Sequence, residues 1–129
     1  MPKVSAIQLN SGPNIKVNLF DVKNYIEEIA SKDSKMVVLP ENFALMPEND
    51  NDYLKHSEIL DDGPIQAYIS DLAKTYKIWI VSGTIPIKSS DKNRVMASTI
   101  TYDDKGKRVS VYNKIHLFDV TLPKSNESY

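Results

Sequence analysis

The chain has 129 residues, 41% of them hydrophobic and 26% charged, which fits one globular domain and excludes a disordered chain. Sixteen basic against seventeen acidic side chains give a formal net charge of -1, so no strong field gathers nucleic acid or an anionic membrane. There is no cysteine, which excludes a disulfide scaffold, cysteine-ligated zinc and a thiol nucleophile within these residues.

Val4 to Leu9 reads as a strand, and Asn10-Ser11-Gly12-Pro13 is turn material. The opening residues alternate instead of forming the apolar run of a secretory signal, and no stretch is long and apolar enough for a membrane helix. A cytoplasmic location is therefore the expectation. Leu19, Val22, Ile26 and Ile29 then recur at helical spacing among Asp21, Lys23, Asn24, Glu27 and Glu28, predicting an amphipathic helix over 17–31.

Met36-Val37-Val38-Leu39 reads as a strand covered on both faces, and Pro40, which has no N–H to donate, stops it. Residues 41–62 read as loop, or loop plus a short helix, with a local excess of acid. Gly63-Pro64 opens a second helix whose buried stripe is Ile65, Ile69, Leu72 and Tyr76. Ile78-Trp79-Ile80-Val81 follows as an apolar strand closed by Ser82-Gly83. Val95 to Tyr102 and Arg108 to Asn113 form a hairpin about the turn Asp103 to Lys107. Ile115 to Phe118 continues that hairpin, and Thr121 to Tyr129 reads as polar loop. Two helices crossing between strands predict an α/β fold (α+β in some schemes), with parallel strands and helices on one face of the sheet.

Few polar residues stand where chemistry is expected. Glu41 sits just past the carboxyl end of a strand, where open α/β sheets hold ligand groups; the plainer reading is a loop carboxylate capping the next turn. Lys114 shares one side of an alternating strand with Arg108, Ser110, Tyr112 and His116, opposite Val109, Val111, Asn113, Ile115 and Leu117. It reads either as a functional cation or as a solvated edge residue. His56 and His116 are the only histidines, and no metal-ligand spacing occurs, so His116 is either site-supporting or a hydrogen-bonded rim residue. Lys105, Lys107, Arg108 and Lys114 form a mild basic cluster best read as a solvated hairpin. Neither a phosphate-cradling glycine motif nor a GxSxG around Ser82 is present.

Val37-Val38-Leu39-Pro40-Glu41-Asn42-Phe43 and Tyr112-Asn113-Lys114-Ile115-His116-Leu117-Phe118-Asp119 together resemble the glutamate and lysine motifs of the nitrilase-like carbon–nitrogen hydrolases. The opening strand and Asn18, near the start of the first helix, add a weaker likeness, as do Asn93 and the Asp103 to Gly106 turn. The resemblance implies an α-β-β-α sandwich, paired as a homo-oligomer, with a Glu-Lys-Cys constellation. It assigns Glu41 as general base and Lys114 as catalytic lysine, with Asn42, Phe43, Tyr112, His116 and Asp119 as supporting residues. It further implies that residues 1–129 are the N-terminal part of one hydrolase domain, the cysteine lying in a C-terminal part. Glu127-Ser128 copies the end of the family's aromatic-x-Glu-Ser motif, but position 125 is Ser. Tyr129 fits better as the opening aromatic, which disfavours Glu127 as the second glutamate.

By this resemblance the substrate is a small carboxylate-bearing amide of the omega-amidase and deaminated-glutathione amidase branch, with no cofactor and no metal. Nitrile hydrolysis or decarbamoylation within the same family, a non-catalytic binding or dimerisation module, and an unrelated structural β-α-β-α unit are the alternatives. Half a sandwich is also expected to expose the inner face of its sheet.

Overall fold

The computed structural model describes residues 1–115. The expected continuation of the hairpin through Phe118, the loop over 121–129, and the candidates His116, Asp119 and Glu127 lie outside the described residues. The elements are β1 (Lys3–Ala6), α1 (Ile15–Ser31), β2 (Ser34–Val38), α2 (Asn51–Lys55), α3 (Pro64–Tyr76), β3 (Trp79–Lys88), β4 (Val95–Tyr102) and β5 (Arg108–Asn113). The strands form one sheet in sequence order, with β1, β2 and β3 parallel and β4 and β5 added antiparallel.

Helix α1 starts where the Asn14 side chain accepts the Val17 N–H at 3.2 Å, satisfying one orphan donor of the first turn. Its apolar stripe buries Leu19, Val22 and Ile26 against the sheet. Helix α3 opens at Pro64 as expected and buries Ile65, Ile69, Leu72 and Ala73. Full burial of a leucine, isoleucine or valine side chain such as these contributes about 1.5–3 kcal/mol. The helix N-terminus is closed by Glu58, itself buried, whose carboxylate accepts the Ile65 N–H at 2.7 Å and the Gln66 N–H at 3.1 Å.

Both long helices lie on one face of the sheet, as expected, and the other face is open, as half a sandwich implies; the reading of Met36 to Leu39 as a strand covered on both faces is corrected. Strand β2 is covered on one face only: Val37 is fully buried beneath the helices, whereas the next residue, Val38, is 38% exposed. Alternation sends successive side chains to opposite faces, and nothing in residues 1–115 covers the second one. Val4, Trp79 and Tyr112 are exposed there as well.

Strand β3 does not end at Ser82-Gly83. It runs on to Lys88 through an irregularity between Ser82 and Ile85, where Gly83 and Thr84 together oppose the single Thr99. The extra residue restores the inward phase, so that Ile85 and Ile87 are buried like Ile80 and Ser82.

A second irregularity corrects the face assignment of β5. Tyr102 pairs with Arg108 while Thr101 pairs with Ser110, which leaves Val109 as an extra residue. Arg108 is thereby turned to the helix side with Tyr102, away from Ser110 and Tyr112. There its Nη2 donates to Asp61 Oδ2 at 2.8 Å, so it is paired with an acid at the surface on the helix side, apart from Lys114 on the other face. Arg108 holds the Asp61 carboxyl below its ordinary value, chiefly through this hydrogen bond.

Candidate active site

The glutamate segment is fixed on both sides of its residue of interest. The Leu39 N–H donates to the Val81 carbonyl at 2.9 Å, the last ladder bond before Pro40 removes the donor. Asn42 then takes a left-handed conformation with φ of 55°, and the chain turns inward so that Phe43, Ala44 and Leu45 are buried. Between them, Glu41 projects outward with its side chain 57% exposed. The approach of β3 to this turn requires glycine, since a Cβ on Gly83 would overlap the Pro40 carbonyl.

The turn is also tied down from the N-terminal side. Asn18 is only 4% exposed, and its side-chain amide donates to the Ala44 carbonyl at 2.7 Å and the Gly12 carbonyl at 2.8 Å. Its oxygen accepts the Gly12 N–H at 3.0 Å. Three of its four hydrogen-bonding positions are therefore used to join the loop after β1 to the segment after Glu41.

Lys114 follows β5, yet its N–H still donates to the Ala97 carbonyl of β4 at 2.9 Å. That bond aims the side chain across the middle of β4 and β3, over Thr99, Gly83 and Thr84, and Nζ donates to Glu41 Oε1 at 2.7 Å. The pair stands in an open cleft of about 430 Å³ lined by Glu41, Gly83, Thr84, Thr99, Tyr112 and Lys114. Lys114 is 32% exposed, so the pair is half-dry and not deeply desolvated. Tyr53, from α2, is half-buried beside it. Burial raises its phenol above the ordinary value, the Asn42 side chain opposes this, and the Glu41 charge adds to it.

Of the residues singled out in the sequence, the structure brings Glu41, Asn42, Tyr112 and Lys114 to one place. Phe43 is buried in the core beneath the turn and does not line the cleft. His56 caps the end of α2 elsewhere. Sequence pattern singles out neither Thr84, Thr99 nor Tyr53. The one usable signal is Gly83 inside a β-rich run, since glycine in a strand often marks a bulge or a close backbone approach. Among the described residues no group of three or more His, Asp or Glu side chains is arranged to hold a metal ion. None of the described helices is long and apolar enough to cross a membrane.

Solved structures place this architecture in a class. The chain matches the Caenorhabditis elegans NitFhit protein with a TM-score of 0.84 at 28% identity, over 96% of this chain and 31% of that one. It matches Saccharomyces cerevisiae Nit3, a member of branch 10 of the nitrilase superfamily, with a TM-score of 0.80 at 31% identity, over 91% and 45% of the two chains. The fold is that of the nitrilase superfamily.

The carbon–nitrogen hydrolase family model matches residues 3–129. The deaminated glutathione amidase of Yersinia enterocolitica is 33% identical over 127 residues, 98% of this chain and 44% of that protein. The omega-amidase NIT3 of S. cerevisiae is 33% identical over 127 residues, 94% of this chain and 43% of that protein. The chain belongs to the carbon–nitrogen hydrolase family, and it spans less than half the length of these curated relatives.

Proposed function

We propose that this chain is the N-terminal part of an amidase acting on small carboxylate-bearing amides through a Glu-Lys-Cys thioester mechanism. The observation that carries the proposal is the hydrogen bond from Lys114 Nζ to Glu41 Oε1 at 2.7 Å in an open cleft beyond the end of β2. The amidase names of the relatives favour an amide over a nitrile or carbamoyl substrate.

In this reading a cysteine from the remainder of the domain attacks the amide carbon. Glu41 takes the thiol proton, passes it to the departing amine, and then activates water against the thioester. Lys114 supplies a fixed positive charge for the developing oxyanion. No redox step occurs, so no cofactor is called for. The same reading expects a homo-oligomeric, cytoplasmic enzyme.

The absence of any cysteine favours a second reading for the 129 residues taken alone, a non-catalytic binding or dimerisation module in which the two charges form an internal ion pair. Ammonia release from omega-amide substrates separates the two. The isolated chain is expected to give none, and the polypeptide extended through a cysteine-bearing remainder is expected to turn over. Equal inactivity of the extended polypeptide, with substrate still bound, would favour the module.

A further inference from the structure

We propose that Thr84 is a positioning residue for the Glu41 carboxylate, acting through the peptide bond that follows it. This rests on the reading of Glu41 as the general base. The Asn42 nitrogen belongs to the Glu41–Asn42 peptide, and its N–H donates to Thr84 Oγ1 at 2.9 Å. On the other side of Glu41, the Pro40 carbonyl lies against Gly83 so closely that only glycine fits. Two consecutive residues of β3 thus grip the backbone immediately before and immediately after Glu41.

The grip depends on the bulge. Simple alternation would turn Thr84 to the helix face with buried Ser82; instead Gly83 and Thr84 both oppose Thr99, and Thr84 lines the cleft. Thr99 Oγ1 donates to the Gly83 carbonyl at 2.6 Å and fixes the irregular backbone. Asn42 holds a left-handed conformation that asparagine tolerates better than most residues. The bond from its N–H to Thr84 fixes the plane of the peptide that follows Glu41, and with it the direction in which Glu41 leaves the backbone. A hydroxyl is the group required: it accepts the Asn42 N–H, and its own proton is directed toward Asn42 Oδ1, 3.5 Å away.

The test replaces Thr84 by Val, which keeps the branched shape and removes the acceptor, with Thr84→Ala and Thr84→Ser alongside. In the polypeptide that includes the cysteine-bearing remainder, Thr84→Val and Thr84→Ala should lower kcat by roughly 10- to 100-fold, as expected when a reacting group is displaced by about 1 Å. KM should stay within about three-fold, and Thr84→Ser should recover most of the rate. Thr84→Val with wild-type kcat overturns the proposal.

Glu41→Gln run in parallel isolates the underlying reading, since undiminished activity there defeats Glu41 as the base whatever Thr84 does. A readout without turnover uses this chain by NMR. Thr84→Val should abolish exchange protection of the Asn42 amide and the Glu41–Lys114 side-chain contact, while the Ile80 and Ile100 methyl signals stay in place. Retention of that contact in folded Thr84→Val or Thr84→Ala overturns the positioning role, whereas Thr84→Ser should retain it.

Discussion

Lys114 and Glu41 are 73 residues apart in the chain, and their side chains meet at 2.7 Å because two different strand ends are held to neighbouring ladders. Glu41 leaves the sheet just after Leu39 bonds to β3, and Lys114 leaves it while its own N–H still bonds to β4. The meeting is therefore a property of the backbone, with the ion pair adding only a little.

That asymmetry gives the first prediction. An ion pair with one partner 57% exposed contributes about 0–1 kcal/mol to folding. Lys114→Ala should thus leave the urea midpoint of the chain almost unchanged. In the cysteine-containing polypeptide the same change should cut kcat by about two to four orders of magnitude, the range for losing a positioned proton-transfer or oxyanion group. Unfolding of Lys114→Ala under native conditions would assign the lysine to structure instead.

The strand-helix alternation, the strand ends at Pro40 and the two buried helical stripes were legible in the sequence, because each rests on local rules of periodicity and backbone chemistry. Both bulges were not. Arg108 and Thr84 sit on faces opposite to those that simple alternation assigns, and the cause is a pairing register with a distant strand. Glu41 and Lys114 could be named from their motifs, but Thr84, Thr99 and Tyr53 join the site only through the fold. The one-sided cover of β2 could not be read from its apolar run, which looks the same whether its second face is filled by this segment or by another; only the resemblance, with its half sandwich, led to an exposed sheet face.

The second prediction concerns Asn18. Its buried amide satisfies the carbonyls of Ala44 and Gly12 together with the Gly12 N–H. Asn18→Ala strands the buried Ala44 carbonyl and frees the Gly12 N–H, while the Gly12 carbonyl keeps the Met46 amide, and should cost about 1–3 kcal/mol. Asn18→Asp should be no milder, because a carboxylate faces two carbonyl oxygens with nothing to donate. Hydrogen exchange should quicken at the Met46 amide, which bonds to the Gly12 carbonyl at 3.0 Å, before it quickens in β3. A chemical-denaturation midpoint for Asn18→Ala equal to wild type would show that the clamp is dispensable.

A third prediction follows from the Asp61–Arg108 pair. Arg108 keeps the Asp61 carboxyl below its ordinary 3.8 in the folded chain. A carboxylate so depressed stabilises the fold at every pH above its unfolded value, and the stabilisation is lost as pH falls through the lower, folded value. Asp61→Asn should accordingly be slightly less stable than wild type at about pH 6, and the gap should close as pH falls through the lowered folded value and the carboxyl is protonated in both states. The pair is at the surface, so the gap is small and should shrink further in high salt. Parallel urea midpoints across the whole acid range would exclude the pairing.

Gly83→Ala should be the most damaging glycine-to-alanine change among the four glycines. The added carbon would meet the Pro40 carbonyl carbon and oxygen, and would lie 2.8 Å from the Leu39 carbonyl oxygen, all of it backbone. That backbone cannot retreat without breaking the Leu39-to-Val81 ladder bond on which the glutamate turn hangs. The cost should exceed about 2 kcal/mol, as for overpacking at a rigid site. Gly12→Ala is the matched control. Nothing lies within 4 Å of a Cβ there, and the residue has no positive φ, so the change should be neutral or stabilising by up to about 1 kcal/mol. Thermal unfolding of the two variants side by side decides the matter: if Gly83→Ala melts with Gly12→Ala and wild type, β3 does not press on the Pro40 carbonyl, and the placement of Glu41 needs another cause.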